Sequence, residues 1–271
     1  MMIKKLSITA LFIFACTVAM AQVAIPYKTG FDAADGFTAG NTINGQDGWV
    51  VLSQGADATI TNAFKQSGDQ AVALEANSQI DKPLSAKSAE TIVWMEGYFS
   101  GEGTDAEPSF PADPAASAIV FFSKTNGIQC LNGNGSGGGS WVPTGVSLVK
   151  DQWYKISIRQ DYTTKKWKCF VNGAQAPAQE LGFRDNVTTL HGFRNFADTP
   201  SWLDTFRVIP VKKGDANMDN KVDAADIVTL VSDPTGSGIT DLIQKDNADV
   251  DNNGAISSAD LAALVNKILA K

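Results

Sequence analysis

The sequence predicts a mainly β chain, a β-sandwich followed by a small all-α module built from two loop-helix repeats. Three observations carry this. From Phe31 to Ile209, short alternating apolar segments are separated by clusters of Gly, Asn, Asp and Pro, the texture of strands joined by turns. All six tryptophans fall in that region, as a large sandwich core requires. From Gly214 onward the texture changes: 58 residues hold ten Asp, four Lys, no Glu, no Arg and no aromatic residue, and the segment repeats itself at an offset of 34.

With 271 residues, 44% of them apolar, the chain can bury a sizeable core, which excludes disorder as its main state. The net charge of −7 repels phosphate backbones and anionic surfaces, so nucleic acid and acidic membrane are poor partners. Residues 1–21 read as a secretory signal: Lys4 and Lys5 precede an apolar run of about a dozen residues that ends in Ala19-Met20-Ala21. The run is too short for a membrane anchor, so no transmembrane segment is expected. Cleavage after Ala21 takes the net charge from −7 to −9, and a secreted or extracellular location follows, with cell-surface association as a variant. Cys16 would suit a lipid-attachment signal, but Phe14 and Ala15 before it fit that pattern poorly. Cys130 and Cys169 stand in the strand-like contexts GIQCL and KWKCFV, where they either bridge or remain buried thiols.

Strands are predicted at 70–75, 91–99, 118–123, 128–131 and 203–209, with the clearest hairpin in DQWYKISIRQDYTTKKWKCFVNG. There Tyr154, Ile156 and Ile158 share one face, Trp167, Cys169 and Val171 share a face of the next strand, and YTTK is the turn. The stretch NGNGSGGGS, 132–140, is a loop within the sandwich because strand-like sequence continues on both sides, and it lacks the Lys-Ser or Lys-Thr of a phosphate loop. The boundaries are 1–21 for the signal, 22–211 for the sandwich and 212–271 for the acidic module. A short linker near Val211 to Lys213 predicts few crossing contacts and separable activities.

The 34-residue offset lays Asp215 on Asp249, Asn217 on Asp251, Asp219 on Asn253 and Asp226 on Asp260. These are positions 1, 3, 5 and 12 of a loop that wraps a hard cation needing six to eight oxygens, which points to Ca2+, two ions in all. Lys221 and Ala255 at position 7 would contribute backbone carbonyls, and Asp223 and Ser257 at position 9 would act directly or through water. Gly254 and Asn220 suit the sharp turn at position 6, and Val222 and Ile256 at position 8 suit two loops paired back to back. The competing reading makes the same residues turn formers and helix N-caps. Two loops in register, each followed by apolar residues at helical spacing, favour coordination. Asp246 lies outside both loops and is expected to be neutral to calcium.

RVIPVKKG before Asp215 supplies no entering helix, so the repeat is loop plus exit helix rather than a full EF-hand. GDANMDNKVDAADIVTLV and ADVDNNGAISSADLAALVNKIL resemble a type I dockerin, over Gly214 to Lys271. The resemblance implies a calcium-folded module that docks on a cohesin-type scaffold, with partner choice at loop positions 10 and 11, here Ala224, Ala225, Ser258 and Ala259. GFDAADGFTAGNTINGQDGWVV, the hairpin above and WLDTFRVIP resemble a concanavalin A-like lectin/glucanase (LamG-type) jelly roll over roughly 25–211. That class hosts glycan binding, glycoside hydrolysis and polysaccharide lysis, so the fold does not choose among them.

Residues decide only in part. Neither E-x-D-x-x-E nor E-x-D-x-E occurs, and of Glu96, Glu102, Asp105 and Glu107 only Glu96 lies in an expected strand. His191, the one histidine, reads as a strand-end or loop residue rather than a general base. Trp141 and Tyr162 are the candidate sugar-stacking aromatics, against core packing for the first and an ordinary turn for the second. Asp32 and Asp204 would hold a structural calcium in the sandwich, against capping and turn roles. The combined expectation is a secreted accessory protein of polysaccharide degradation, its sandwich binding a polysaccharide or other glycan. The alternative is a divergent glycoside hydrolase or polysaccharide lyase with the same docking module.

Overall fold

The computed structural model describes residues 22–53, 55–108 and 115–270; the expected export signal and Cys16 lie outside the described residues. In chain order the strands are β1 (Val23–Ala24), β2 (Tyr27–Thr29), β3 (Val50–Val51), β4 (Ala58–Thr61), β5 (Ala71–Leu74), β6 (Ser78–Ser85), β7 (Ile92–Gly101) and β8 (Val120–Ser123). They continue as β9 (Gly127–Gly133), β10 (Gly139–Pro143), β11 (Tyr154–Asp161), β12 (Lys166–Val171), β13 (Ala174–Gln175), β14 (Leu181–Gly182), β15 (Gly192–Ala197) and β16 (Ser201–Pro210). Three helices follow: α1 (Ala224–Ser232), α2 (Leu242–Ala248) and α3 (Ser258–Leu269).

One layer is a nine-stranded sheet ordered β13-β12-β11-β7-β16-β5-β4, with β14 beside β12 and β2 beside β16. The facing layer is made of the four-stranded sheet β1-β6-β15 with β3 on β6, and the three-stranded sheet β10-β9-β8. Aromatic contacts join the layers: Phe193 of β15 meets Phe206 of β16 at 4.6 Å between ring centres, and Phe122 of β8 meets Tyr154 of β11 at 6.2 Å. Trp49, fully buried, fills the centre against Phe31 and Phe206. Truncating such an aromatic costs about 3–5 kcal/mol, so this cluster dominates the sandwich's stability.

The expected strands are present, and the hairpin pairs as read, Ile156 with Val171 and Gln160 with Trp167. The glycine-rich stretch is the tip of the hairpin between β9 and β10. Strand β6 was not legible because two of its four inward positions are Ser78 and Lys82. Lys82 is wholly buried. Its ammonium lies 4.2 Å from the centre of the Tyr27 ring and 3.2 Å from Asp47 Oδ2, and it donates to the Asp47 carbonyl. Burial lowers its pKa, against the pull of Asp47.

Strand β16 carries a bulge that decides the chemistry of its outer face. The register with β7 shifts between Asp204 and Arg207, where Thr205 adopts φ +45°. Leu203 therefore points inward together with Phe206 and Val208, all fully buried, while Arg207 faces out beside Glu96.

The acidic module packs Ala216, Val222, Leu230, Ile239, Ala248 and Leu264 into a second core. It is not loosely tethered. The Val211 amide donates to the Ile92 carbonyl, extending the pairing of β16 with β7, and Asp246 of α2 accepts from Trp94 Nε1 at 2.8 Å and from Arg159 Nε at 2.6 Å. The expectation of few crossing contacts is corrected: the charge-rich outer face of the large sheet is matched by carboxylates of Asp241 and Asp246 at α2.

Candidate functional site

The two acidic loops fold alike, residue for residue. At position 1, Asp215 Oδ2 accepts the amide of Asn220 at 3.0 Å and Asp249 Oδ2 that of Gly254 at 3.1 Å. At position 3, Asn217 Oδ1 accepts from Asp219 N and Asp251 Oδ1 from Asn253 N. At position 5, Asp219 Oδ1 accepts from Lys221 N and Asn253 Oδ1 from Ala255 N. At position 12, Asp226 accepts from Asn217 N and Asp223 N, and Asp260 from Asp251 N and Ser257 N. Each bond uses one lone pair of an oxygen that has two, in the carboxylates and in the single amide oxygens of Asn217 and Asn253, which leaves further lone pairs for a cation. Position 6 is left-handed in both loops, φ +66° at Asn220 and +88° at Gly254. So is position 4, at Met218 and Asn252, which the sequence did not reveal.

The capping reading is realised, and it leaves the same side chains with oxygens to spare. Asp223 and Ser257 are the N-caps of α1 and α3, and Asp226 and Asp260 complete capping boxes. Both position-12 carboxylates are fully buried. They close the loop and start the helix at once, which ties helix direction to whatever the loop holds.

The residues fit a hard cation. In loop two, carboxylate oxygens of Asp249, Asp251 and Asp260 lie within 4.8 Å of one another. In loop one, Asp215 Oδ1 is buried with no hydrogen-bond partner, the position of an oxygen aimed at an ion. Burial raises the Asp215 pKa, with the charges of Asp226 and Asp219 adding to it and the Asn220 amide opposing. Bringing like charges together in this way stabilises a divalent cation and costs free energy without one. Ala224, Ala225, Ser258 and Ala259, the expected partner-binding positions, are exposed in the first turns of α1 and α3. On α1 the exposure continues in Val228 and Val231, 64% and 58% accessible.

The sandwich residues divide differently. Tyr162 is corrected: it is buried, packs against Phe183 at 5.3 Å and donates to Gln160 Oε1, with burial pushing its pKa up to about 12. Trp141 stays half-buried on edge strand β10, 5.3 Å from the Phe121 ring. The acidic candidates are not brought together. Glu96 is buried on the outer face with Arg207, Lys155 and Ser157, whereas Glu102 pairs with exposed Lys150 and Asp105 binds Thr125. His191 is exposed just before β15, and its carbonyl accepts from Leu84 N. Asp32 Oδ1 accepts the amides of Asp69 and Gln70, and Asp204 Oδ2 those of Gln66 and Ser67. Both therefore pin one loop, 66–70, from two sides. Cys130 and Cys169 are buried free thiols.

Between the layers opens a cleft of about 530 Å³, floored by Gly97, Ile158 and Gln160 and walled by Phe193 and the half-exposed Phe196. Of the carboxylates lining it, Asp81 accepts from Nε and Nη2 of Arg194, at 2.7 and 2.5 Å.

No curated protein matches the chain. Among solved structures it is similar to a sialidase, with 10% identity and a TM-score of 0.44 over 65% of this chain and 19% of that one. It is similar also to a Trypanosoma rangeli sialidase in complex with 2,3-difluorosialic acid, with 12% identity and a TM-score of 0.40 over 69% of this chain and 30% of that one. A third is domain 4 of AbnA, a GH43 extracellular arabinanase from Geobacillus stearothermophilus, in complex with arabinotriose, with 15% identity and a TM-score of 0.43 over 70% and 93%. The chain thus spans under a third of either sialidase. The acidic module is assigned by sequence: residues 213–269 match the family described as Dockerin type I domain, and the C-terminal module is a dockerin.

Proposed function

We propose that this chain is an exported accessory protein of polysaccharide breakdown, carried to its workplace by a calcium-folded dockerin that binds a cohesin-type scaffold. The observation that carries this reading is the pair of matched loops, one with three carboxylates converging within 4.8 Å and one with an orphaned buried carboxylate oxygen. Calcium, when bound, supplies the positive charge that lets these carboxylates remain ionised side by side. Asp215, Asn217, Asp219 and Asp226 would hold one ion, and Asp249, Asp251, Asn253 and Asp260 the other, with position 7 carbonyls and position 9 side chains completing each set. Asp226 and Asp260 then fix α1 and α3, whose first turns carry the exposed partner positions.

The sandwich is read as a glycan-recognising module of the concanavalin A-like type. Phe196 at the cleft and Trp141 on β10 offer partly exposed rings on which a pyranose face can stack. Binding is favoured over bond cleavage because Glu96, the strand carboxylate, faces away from the cleft and is neutralised by Arg207 and Lys155.

Two measurements on the intact protein test this. Capture by immobilised cohesins should require calcium and vanish in chelator; capture that ignores chelator would sink the docking assignment. Incubation with a polysaccharide panel should give retention without products, weakened in Phe196→Ala or Trp141→Ala. Release of reducing or unsaturated sugars would instead make the sandwich an enzyme, and silence on every glycan would remove the carbohydrate role.

A further inference from the structure

The two calcium loops have the same internal geometry but different approaches. Loop one follows directly from β16, whereas loop two follows α2, only seven residues long. A helix of that length is not stable by itself in water, so its order comes from what it rests on. It rests on two adjacent rows of the large sheet. In one row Trp94 and Arg159 are direct cross-strand partners, and both donate to Asp246, at 2.8 and 2.6 Å. In the next row Glu96 stands between Ser157 and Arg207, and Arg207 Nη2 donates to Asp241, the N-cap of α2, at 2.6 Å. Asp241 and Asp246 are five residues apart, about 7.5 Å along a helix, while sheet rows two residues apart are spaced about 6.8 Å. The spacings match.

The path continues to the metal loop. Lys213 Nζ donates to Asp246 Oδ1 at 2.9 Å and to the carbonyl of Asp249 at 2.7 Å. Asp249 is position 1 of loop two and directly follows the last residue of α2. Asn247, buried in the same helix, binds the Lys212 amide through its side chain and the Gly214 amide through its carbonyl.

We infer that the sandwich positions calcium loop two: Trp94 and Arg159 acting through Asp246 and Lys213, and Arg207 acting through Asp241, hold the helix that delivers Asp249 to the ion. None of the sheet residues touches the metal; they are positioning residues. Calcium at loop two and docking of α2 on the sheet stabilise each other. Loop one meets α2 only from the side, where Gln244 Nε2 donates to the Ala216 carbonyl at 2.7 Å and Asn247 accepts the Lys212 and Gly214 amides, so it shares less of that help. Linkage makes the effect reciprocal, so calcium also tightens the joint between the modules. The consequence for function is a docking module set at a fixed angle to the sandwich, with α2 occupied by the sheet. This inference rests on the calcium reading of the loops proposed above.

The test is calcium titration calorimetry on the intact chain, in a background that isolates loop two by Asp226→Ala. There Arg159→Gln and Asp246→Asn should each weaken calcium binding about tenfold or more, the size seen when groups that orient metal ligands are removed. The double variant should be no weaker than the worse single, because both changes break one path. In the converse background, Asp260→Ala, loop one, which α2 touches through Gln244 and Asn247 but does not deliver, should lose less affinity than loop two does in both variants. If Asp246→Asn disorders the module, Arg159→Gln and Trp94→Phe, which lie in the sandwich, still decide the matter. Unchanged loop-two affinity in those two would overturn the inference while leaving the calcium reading intact. No calcium uptake by the unmodified chain would overturn the calcium reading itself, and this inference with it.

Discussion

Loop one and loop two are two copies of one sequence unit, and they differ less inside than outside. Asp215 and Asp249 accept the position 6 amide, and Asp226 and Asp260 accept the amides of positions 3 and 9, in the same pattern. What differs is the support. Loop one emerges from a strand of the sandwich and carries an unpaired buried oxygen, whereas loop two hangs from a helix fastened to the sheet by two ion-pair rows. A repeat therefore fixes the loop geometry, while the surroundings fix how firmly each loop is held.

The largest test of that comparison is removal of the closing carboxylates. Asp226→Ala should abolish the calcium event of loop one and Asp260→Ala that of loop two, each leaving the other measurable by calorimetry. Both side chains are fully buried and accept two backbone amides, so each loss should also cost about 2–3 kcal/mol in a denaturant titration with calcium present. Loss of both events from either single change would mean the loops form one inseparable site rather than two copies.

The two loops were legible because a hard cation demands oxygens at fixed intervals, and fixed intervals survive in a linear sequence. Position 6 was legible for the same reason, through Gly254 and Asn220. The support was not. Asp246 is one Asp among ten, and nothing local distinguishes it from a solvated charge; its partners Trp94 and Arg159 are 152 and 87 residues away. Arg207 was hidden by the bulge at Thr205, since strict alternation from Leu203 would have turned it inward. Tyr162 follows Asp161 in a turn sequence, yet its ring is drawn into the core by Phe183, a contact 21 residues away that no turn rule contains. In the sandwich, then, alternation located strands, and tertiary packing chose which residues reach the surface.

A smaller effect comes from pH. Burial alone would raise the Asp246 carboxyl, but the hydrogen bond and charge of Arg159, with Lys213, outweigh it and hold the group below its usual range. Asp241 behaves likewise, its burial outweighed by Arg207. For a carboxylate with a depressed folded pKa the stabilisation is complete above the unfolded value of about 3.9 and is lost as pH falls through the folded value. The joint between α2 and the sheet should thus be at full strength from neutral pH down to about 4 and weaken below it. Trp94 fluorescence, read against Trp94→Phe as the reference, should change in that acid window in the wild type, and the change should be displaced or absent in Asp246→Asn. A midpoint near pH 6 or above would show that these two carboxylates do not govern the joint.

The smallest effect concerns position 6, where the copies differ by one residue. Asn220 holds φ +66° and Gly254 φ +88°, and a side chain carbon added at Gly254 would meet nothing within 4 Å, so strain there comes from the backbone alone. Asn enters the left-handed region more readily than other side chains do, but less readily than Gly. Asn220→Gly should accordingly relax loop one by a few tenths of a kcal/mol, after the larger unfolded-state entropy of Gly is subtracted. Gly254→Asn should weaken loop two by about 0.5–1 kcal/mol, roughly two- to fivefold in calcium affinity. Opposite signs in the two exchanges would place position 6 within the shared loop geometry. Equal losses from both would mean that each loop has adapted its turn to the residue it carries, and the resemblance between the copies would then stop at the ligands.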